Sequence, residues 1–354
     1  MLGLLALGFT SLMIYTLVKN ALFGIQLNKT SSYHGSIDLI IPIASHQEIN
    51  LEYWEKAIYS YSPLSDQLKI HFLFDGLQPD IEMWKKISSL NKQIKIHHFT
   101  QRPPDREPCS WMLDQISSLL DSSLVMITDP QTIPEPEALI SLGSFMTEKQ
   151  IPIYCIPQTA QVSTLGEVIF SLNPTLAFIS LFGTKKWRQL FGQSLLGTSE
   201  GLLCLDLKLF KEIDFKSVRL TSWKDSVSRK MQESGMQFQI AFGEKYLKRF
   251  HSATPQLALE EITKTWEIMW SKNNKSAFWI YLASVFVWSF PVLCLITHPF
   301  WSLASFFLLV LFRFFTKIVF QESWTSVALH PLGSGFWVIG LVKFLIYKFK
   351  REQV

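Results

Sequence analysis

Apolar side chains are concentrated at the two ends of the 354-residue chain, whereas the middle has the composition of a soluble domain. No charged side chain occurs in Met1–Val18, and the apolar pattern resumes after Lys19 and continues to Ile25. About 20 apolar residues suffice to cross a bilayer core, so the pattern predicts a transmembrane anchor over residues 1–25. A cleaved signal peptide is the alternative, but no basic residue precedes the stretch and no clear small-residue cleavage site follows it.

The C-terminal apolar region contains three segments of different character. Ser276–Ile296 and Phe300–Phe312 are strongly apolar and are predicted to cross the membrane. Phe336–Tyr347 is shorter and contains a lysine, so it could cross the membrane, lie flat on it or re-enter. We assign residues 276–348 to transmembrane or interfacial helices, and residues 251–275 to an amphipathic segment at the membrane surface.

Lysine and arginine residues follow both the N-terminal and the C-terminal apolar segments. Lys19 and Lys29 follow the uncharged stretch Met1–Val18, and Lys348, Lys350 and Arg351 lie at the C-terminal end. Because cytoplasmic flanks of membrane helices are enriched in Lys and Arg, the sequence predicts a multi-pass protein of the cell membrane whose middle domain is cytoplasmic.

The middle of the chain alternates between short β-branched segments and segments of helical periodicity, which is typical of a parallel sheet covered by helices on both faces. Leu205–Phe210 fits either the end of a strand or the start of a helix. The predicted strands include Ser36–Ile43, Leu68–Phe74, Gln93–His98 and Ser123–Thr128, and the predicted helices include Leu51–Tyr61, Ile81–Leu90, Ser110–Leu120 and Asp225–Gly235. The sequence therefore predicts an α/β domain with a mostly parallel sheet.

Two acidic residues follow predicted strands, where α/β sheets bind their ligands. Asp75 follows the second strand and Asp129 follows the fourth. For Asp75 an Asp-Gly turn that closes the strand is an equally good interpretation. The placement alone marks this edge of the sheet as a candidate site.

Charge and cysteine content exclude several other classes of protein. The formal net charge is only +4, so no nucleic-acid partner is expected. The four cysteines show no paired spacing, which argues against a zinc site or a disulfide framework and favours buried apolar thiols.

Four motifs follow one another along the middle domain: Ile41-Pro42, Asp75-Gly76, Asp129–Leu139 and Trp223–Val227. Their order and spacing resemble those of the family 2 glycosyltransferases, and most closely the membrane-bound enzymes that glycosylate carotenoids, ceramides and other lipids. The resemblance covers nearly the whole chain, although each motif departs from the family pattern. It implies a GT-A fold, a Rossmann-like sheet that binds nucleotide sugars, over residues 34–250 and flanked by the membrane helices.

The resemblance divides this domain into a nucleotide-sugar half, residues 34–140, and an acceptor half, residues 141–250. It implies donor binding by residues near the strand ends, with a UDP-sugar the first expectation. These residues are Pro42, Glu48, Asp75, Asp129 and Gln131. Glu48 replaces an acid that the family carries close to the first motif.

The family also uses a divalent cation, Mg²⁺ or Mn²⁺, to neutralise the diphosphate, and binds it through paired carboxylates. The resemblance makes Asp129 the metal ligand here. Gln131 stands where the second carboxylate is expected, and a neutral amide oxygen binds a cation more weakly.

The fourth motif supplies the catalytic base in the family, and Asp225 matches it as the group that deprotonates an acceptor hydroxyl. Lys224 stands where the family has Glu, and its charge would favour an ionised Asp225. The alternative for Asp225 is an ordinary acid in the first turn of a helix.

Further downstream the resemblance places Lys248, Arg249, Lys264 and Trp266 on the acceptor and diphosphate side. The three cations could stabilise the leaving diphosphate if a metal is weakly held. For Trp266 and Trp270 an aromatic belt at the membrane interface explains the pattern at least as well.

The implied function is transfer of a sugar from a nucleotide donor to a lipid-type acceptor. A pseudoenzyme of the same fold, which binds or scaffolds at the membrane, is the alternative, because Phe74, Gln131 and Lys224 replace acids of the family pattern. A transporter is disfavoured, since few polar residues interrupt the apolar segments.

Overall fold

The computed structural model describes residues 7–8, 10–12, 14–15, 25–26, 32–44, 51–76, 84, 88, 92–156, 201–216, 223–236, 239–242, 247–249, 254–270, 278–279, 282–283, 285–287, 289, 299–320, 324 and 330–352. The chain forms two compact units. One comprises Ile25–Gln158 and Glu200–Phe250, and the other comprises Met1–Gly24, Thr159–Ser199 and His251–Val354. We call them the sheet unit and the helical unit.

The sheet unit contains an eight-stranded sheet in the order β1-β9-β7-β8-β5-β2-β3-β4. All neighbouring strands are parallel except β8, which is antiparallel to both β5 and β7. A small antiparallel sheet pairs β6 with β10. The strands are β1 (Ile25–Gln26), β2 (Ile37–Ile43), β3 (Leu68–Asp75), β4 (Ile94–Phe99), β5 (Leu124–Ile127), β6 (Thr132–Pro134), β7 (Ile153–Ile156), β8 (Leu202–Asp206), β9 (Gln239–Phe242) and β10 (Leu247–Arg249). The predicted mostly parallel α/β sheet is confirmed.

Helices join the strands of this sheet. They are α1 (Leu51–Ser60), α2 (Pro108–Ile116), α3 (Pro136–Lys149), α4 (Leu207–Glu212) and α5 (Trp223–Glu233). Local chemistry sets their ends: the Glu107 carboxylate accepts the first free amides of α2, and α3 ends at Gln150 in the left-handed conformation. The segment Leu205–Phe210 contains both the end of a strand and the start of a helix. Strand β8 ends at Asp206, and the Asp206 side chain caps α4 by accepting the Leu209 amide.

Strand β2 lies between β5 and β3 in the interior of the sheet, and every residue in it is buried. Its IDLIIPI sequence fits this position, because a strand covered on both faces is apolar almost throughout. On one face its isoleucines pack near Trp54 of α1, and the Trp54 indole meets Phe72 of β3 edge to face at 5.3 Å. Of the predicted helix Ile81–Leu90, the structure describes Trp84 and Ser88, both helical.

A polar row crosses three strands beneath α2. Asp38 of β2 lies 3.2 Å from Nε2 of His71 on β3, and Nδ1 of His71 lies 3.1 Å from Nε2 of His97 on β4. The second oxygen of Asp38 accepts the amides of Asp121 and Ser122. Burial opposes ionisation of Asp38, but the hydrogen bonds from His71 and Ser122 outweigh it and lower its pKa.

In the helical unit, the described helices are α6 (Pro255–Trp270), α7 (Pro299–Phe320) and α8 (His330–Glu352), with shorter helical pieces elsewhere. Helices α6 and α8 pack together at Gly340, where an added Cβ would lie 2.5 Å from Ile262. The Trp266 indole donates to the Trp337 carbonyl at 3.3 Å. Within the described residues no helix combines the length and the apolar character that a membrane crossing needs. The predicted anchor lies largely outside the described residues.

We expect His97 to make folding sensitive to acid. Burial, with smaller contributions from His71, Lys95 and His98, lowers the pKa of His97 from 6.5 to about 4. Between these values the unfolded chain binds more protons than the folded chain, so stability falls as the pH drops from 6.5 towards 4. Urea midpoints measured across this window should fall for the wild type and fall less for His97→Gln.

His34→Gln is the matched control, because His34 is exposed. It should retain the acid sensitivity of the wild type. Equal acid sensitivity in the wild type and His97→Gln would contradict the proposed effect of His97 on stability.

Candidate functional site

Asp129 lies just beyond the carboxyl end of β5, at the centre of the sheet. The loop that follows is fixed by α1 and its extension: the Trp54 indole donates to the Pro130 carbonyl at 2.7 Å, and the Tyr61 hydroxyl donates to the Pro134 carbonyl at 2.6 Å. Burial, with a smaller contribution from Glu135, raises the pKa of Tyr61, so its hydroxyl remains a donor. The predicted placement of Asp129 at a strand end is confirmed, and side chains from α1 and its extension hold the loop that follows it.

The Asp129 carboxylate faces one backbone amide and one ammonium group. Its Oδ2 atom accepts the Gly201 amide at 3.2 Å and lies 3.6 Å from Nζ of Lys224. The side chains of Lys224 and Asp129 are only 8% and 18% exposed, so solvent screens the pair weakly. One carboxylate therefore joins the end of β5, the residue before β8 and the start of α5.

Gly201 is required for this arrangement because the backbone of β7 passes close to it. A Cβ added at Gly201 would lie 2.4 Å from the Cys155 carbonyl oxygen and 3.0 Å from the Tyr154 ring. Only glycine allows its amide to reach Asp129 without displacing the neighbouring strand.

Helix α5 begins at Trp223, so Lys224 and Asp225 both lie in its first turn. The Lys224 ammonium also lies over the Trp223 ring, 5.6 Å from its centre. Because Asp225 is the next residue, the backbone of the predicted base is held beside the residue that contacts Asp129.

Asp75 ends β3 and is engaged by an arginine. Nε of Arg102 donates to both of its carboxylate oxygens, at 3.2 and 3.0 Å, while Nη1 of Arg102 donates to the Arg106 carbonyl. Gly76 follows with a φ of 90° and donates its amide to the Phe99 carbonyl, as in a strand-closing turn. The role of Asp75 towards a nucleobase or ribose stays a prediction.

The small sheet brings another predicted pair of residues towards this edge. Strand β10 pairs with β6, in the register Lys248 with Ile133 and Arg249 with Thr132. Thr132 also closes a turn onto the Asp129 carbonyl through its amide, at 2.9 Å. The backbone of the predicted cationic pair is therefore hydrogen-bonded to the strand that follows Asp129.

The remaining predicted residues are distributed more widely. Pro42 is buried within β2, and Gln131 is partly buried in the turn after Asp129. Glu48 lies outside the described residues. Lys264 and Trp266 lie on α6 in the helical unit, where Trp266 is fully buried against Trp337 and Phe278. Their contact with an acceptor stays a prediction.

Three of the four cysteines are described, and all are buried free thiols as predicted. Burial is the main cause of the raised pKa values of Cys109, Cys155 and Cys204. A thiol with a raised pKa is a poor nucleophile, so these cysteines serve as small apolar side chains. Cys294 lies outside the described residues.

Comparison with solved structures identifies the fold. A mannosyltransferase from Pyrobaculum calidifontis, solved with GDP-Man and Mn²⁺, matches with a TM-score of 0.51 at 11% identity, covering 98% of this chain and 99% of that one. The fold is a GT-A glycosyltransferase fold. Glucosyl-3-phosphoglycerate synthase from Mycobacterium tuberculosis, solved with Mn²⁺, UDP and glucosyl-3-phosphoglycerate, covers 66% of this chain and 77% of its own at 16% identity and a TM-score of 0.44. No protein-family model and no curated protein matches the chain.

The mannosyltransferase was solved with Mn²⁺, but the residues around Asp129 in this chain fit a divalent cation poorly. Among the described residues, no three His, Cys, Asp or Glu side chains are grouped as metal ligands. The neighbours of Asp129 are instead an amide, an ammonium and the neutral Gln131. A cation bound by Asp129 would be repelled by the Lys224 ammonium. Two positive unit charges 4 Å apart repel by about 4 kcal/mol at an effective dielectric of about 20, and the repulsion doubles when one of them is divalent.

Three residues that the family motifs do not place at the strand ends contact the carboxylates there. Lys224 and Gly201 contact Asp129, and Arg102 contacts Asp75. Lys224 was given a role only in the ionisation of Asp225. The sequence carried one signal of this contact: Lys224 replaces an acid in one motif, and Gln131 replaces an acid in another. Both changes make the two motifs more positive than the family pattern.

Gly201→Ala should destabilise the sheet unit and displace the amide that holds Asp129. Overpacking of this kind typically costs about 1–3 kcal/mol, so the thermal midpoint should fall by several degrees. Differential scanning fluorimetry of the purified chain measures this directly.

Gly335→Ala is the matched control, because a Cβ at that exposed position of α8 meets no atom within 4 Å. It should leave the midpoint unchanged or raise it slightly, since alanine favours helix. Equal midpoints for Gly201→Ala and the wild type would show that Gly201 is not tightly packed.

Proposed function

We propose that this protein is a membrane-bound glycosyltransferase that moves a sugar from a nucleotide-sugar donor to a lipid-type acceptor. The donor diphosphate would lie at Asp129, beyond the carboxyl end of the central strand β5. Asp225 would act as the general base, and UDP-sugars are the first donors to test. The GT-A fold supports the reaction class, while the lipid-type acceptor and the choice of UDP-sugars rest on the family resemblance.

The observation that carries the proposal is the contact between Asp129 and Lys224. It ties the strand end predicted to bind the donor to the first turn of the helix predicted to carry the base. Two motifs separated widely in sequence thus converge, as a donor site and an acceptor base must for a direct transfer between them.

In the proposed reaction, an acceptor hydroxyl oxygen forms a bond to the anomeric carbon of the donor sugar. The bond from that carbon to the diphosphate oxygen breaks, and its electron pair stays on the diphosphate. The hydroxyl proton passes to the Asp225 carboxylate. Positive groups near Asp129 stabilise the charge that grows on the leaving diphosphate.

The lipid-type acceptor and the membrane location are supported by the apolar face of α7. Its exposed side chains recur at helical spacing, as on a surface that contacts apolar material. They are Phe300, Leu303, Phe306, Phe307, Val310 and Phe314. We propose that the helical unit associates with the cell membrane and that the sheet unit lies on its cytoplasmic side.

A pseudoenzyme that binds at the membrane without turnover is the second candidate. The loss of family acids at Gln131 and Lys224 favours it, as does the ion pair of Asp75 with Arg102, because that carboxylate already has a partner. Turnover assays decide between the two functions.

Asp225→Asn should slow transfer by about 10²–10⁴-fold while leaving folding and donor binding intact. Positioned proton transfer typically contributes about 10²–10⁴-fold in rate, and Asn retains the shape of Asp without its basicity. Transfer from radiolabelled UDP- and GDP-sugars into a total lipid extract, alongside calorimetric donor binding, measures both properties.

Glu233→Gln, an exposed change in the last turn of the same helix, is the matched control and should transfer at the wild-type rate. If Asp225→Asn also transfers at that rate, Asp225 is only a first-turn acid. If the wild type binds donor but transfers nothing, the pseudoenzyme is the better account.

Membrane association predicts that the full chain sediments with membranes and remains there after an alkaline carbonate wash, which removes peripherally bound proteins. Detergent should release it. Recovery of the chain in the carbonate supernatant would contradict integral membrane attachment and leave the apolar face of α7 to another partner.

A further inference from the structure

We propose that the Lys224 ammonium performs the task of the divalent cation, so that donor binding needs no metal. This inference rests on the proposed function, because it concerns the nucleoside diphosphate at the same site. It replaces the cation requirement that the family resemblance implied for Asp129.

The geometry places an ammonium group where the resemblance calls for a metal ion. Nζ of Lys224 lies 3.6 Å from Oδ2 of Asp129, the one acid kept from the metal-binding motif. Two positions that carry acids in the family pattern differ here. Gln131 stands at the second acid position of the metal-binding motif, and Lys224 itself stands at the acid position of the helix motif. Two negative charges are lost and one positive charge is gained.

This change leaves the net charge that the donor encounters within about one unit of that of a metal-loaded site. A site with three acids and a divalent cation carries a net charge of about −1, counted from the ordinary side-chain charges. Asp129 and Lys224 with Gln131 carry a net charge of about 0, so the site is no more repulsive to a diphosphate than a metal-loaded one. The substitutions therefore remove the metal site while keeping its electrostatic purpose.

Local structure fixes the ammonium in position. The Lys224 side chain is 8% exposed and its charge lies over the Trp223 ring, so both the helix start and the ring restrict it. An ammonium has three N–H donors, and a group that faces Asp129 can also donate to a diphosphate oxygen. Charge-assisted hydrogen bonds of this type are the strong ones in proteins.

In the proposed step, Lys224 stays protonated throughout. As the bond between sugar and diphosphate breaks, the growing negative charge on the diphosphate is stabilised by the ammonium, and no proton is transferred to it. The acceptor proton passes to Asp225 as before.

The test is calorimetric binding of UDP and GDP to the detergent-purified full chain, once with EDTA and once with Mn²⁺. The wild type should bind one of them with the same affinity in both buffers. Lys224→Gln should weaken metal-free binding roughly 10- to 100-fold, the loss expected for a hydrogen bond to a charged group. Lys224→Arg should retain most of the affinity, because it keeps the charge.

Lys224→Glu restores an acid at the motif position and should make binding depend on Mn²⁺. Lys230→Gln is the control, since this lysine lies on the same helix and pairs with Glu212 instead. It should bind like the wild type. Thermal midpoints of all variants identify any that fail to fold, and Lys224→Arg keeps the test valid if Lys224→Gln does not.

The outcomes separate the two proposals. Wild-type binding that requires Mn²⁺, or unchanged metal-free binding in folded Lys224→Gln, overturns the role of Lys224 and leaves the glycosyltransferase proposal standing. Absence of UDP and GDP binding in both buffers overturns the proposed nucleotide site and this inference with it.

Discussion

The Asp129 carboxylate is the point on which the candidate site depends. It accepts the Gly201 amide and faces the Lys224 ammonium, and thereby connects three segments that are far apart in the sequence. The loop after it is independently fixed by Trp54 and Tyr61. Any ligand bound at this edge of the sheet meets a charge pattern that the fold sets in advance, which is the condition for electrostatic stabilisation without reorganisation.

A largely buried ion pair has specific consequences for this region. Withdrawing two charges from water offsets much of their mutual attraction, so the intact pair contributes little net stability. Removing one partner is different, because it leaves the other charge buried and uncompensated. Under the proposed function, a diphosphate would supply further negative charge to Lys224 while Asp129 keeps its place beside the ammonium.

The fold was largely predictable, because the alternation of apolar strands and amphipathic helices is a property of local sequence. The placement of Asp75 and Asp129 at strand ends followed from the same pattern. The antiparallel direction of β8 could not be predicted, since its LLCLD sequence is equally suited to either direction in a buried sheet. The contact of Lys224 with Asp129, and that of Arg102 with Asp75, depend on tertiary placement that single-sequence patterns do not encode.

The central claim is that Asp129 and Lys224 act as one unit, and a double-mutant cycle tests it most directly. The free energy of unfolding is measured for the wild type, Asp129→Asn, Lys224→Gln and the double variant. Contacting charges of this kind couple by about 0.5–3 kcal/mol. The account predicts that Lys224→Gln destabilises the wild type by clearly more than it destabilises Asp129→Asn. Equal effects of Lys224→Gln in both backgrounds would contradict it.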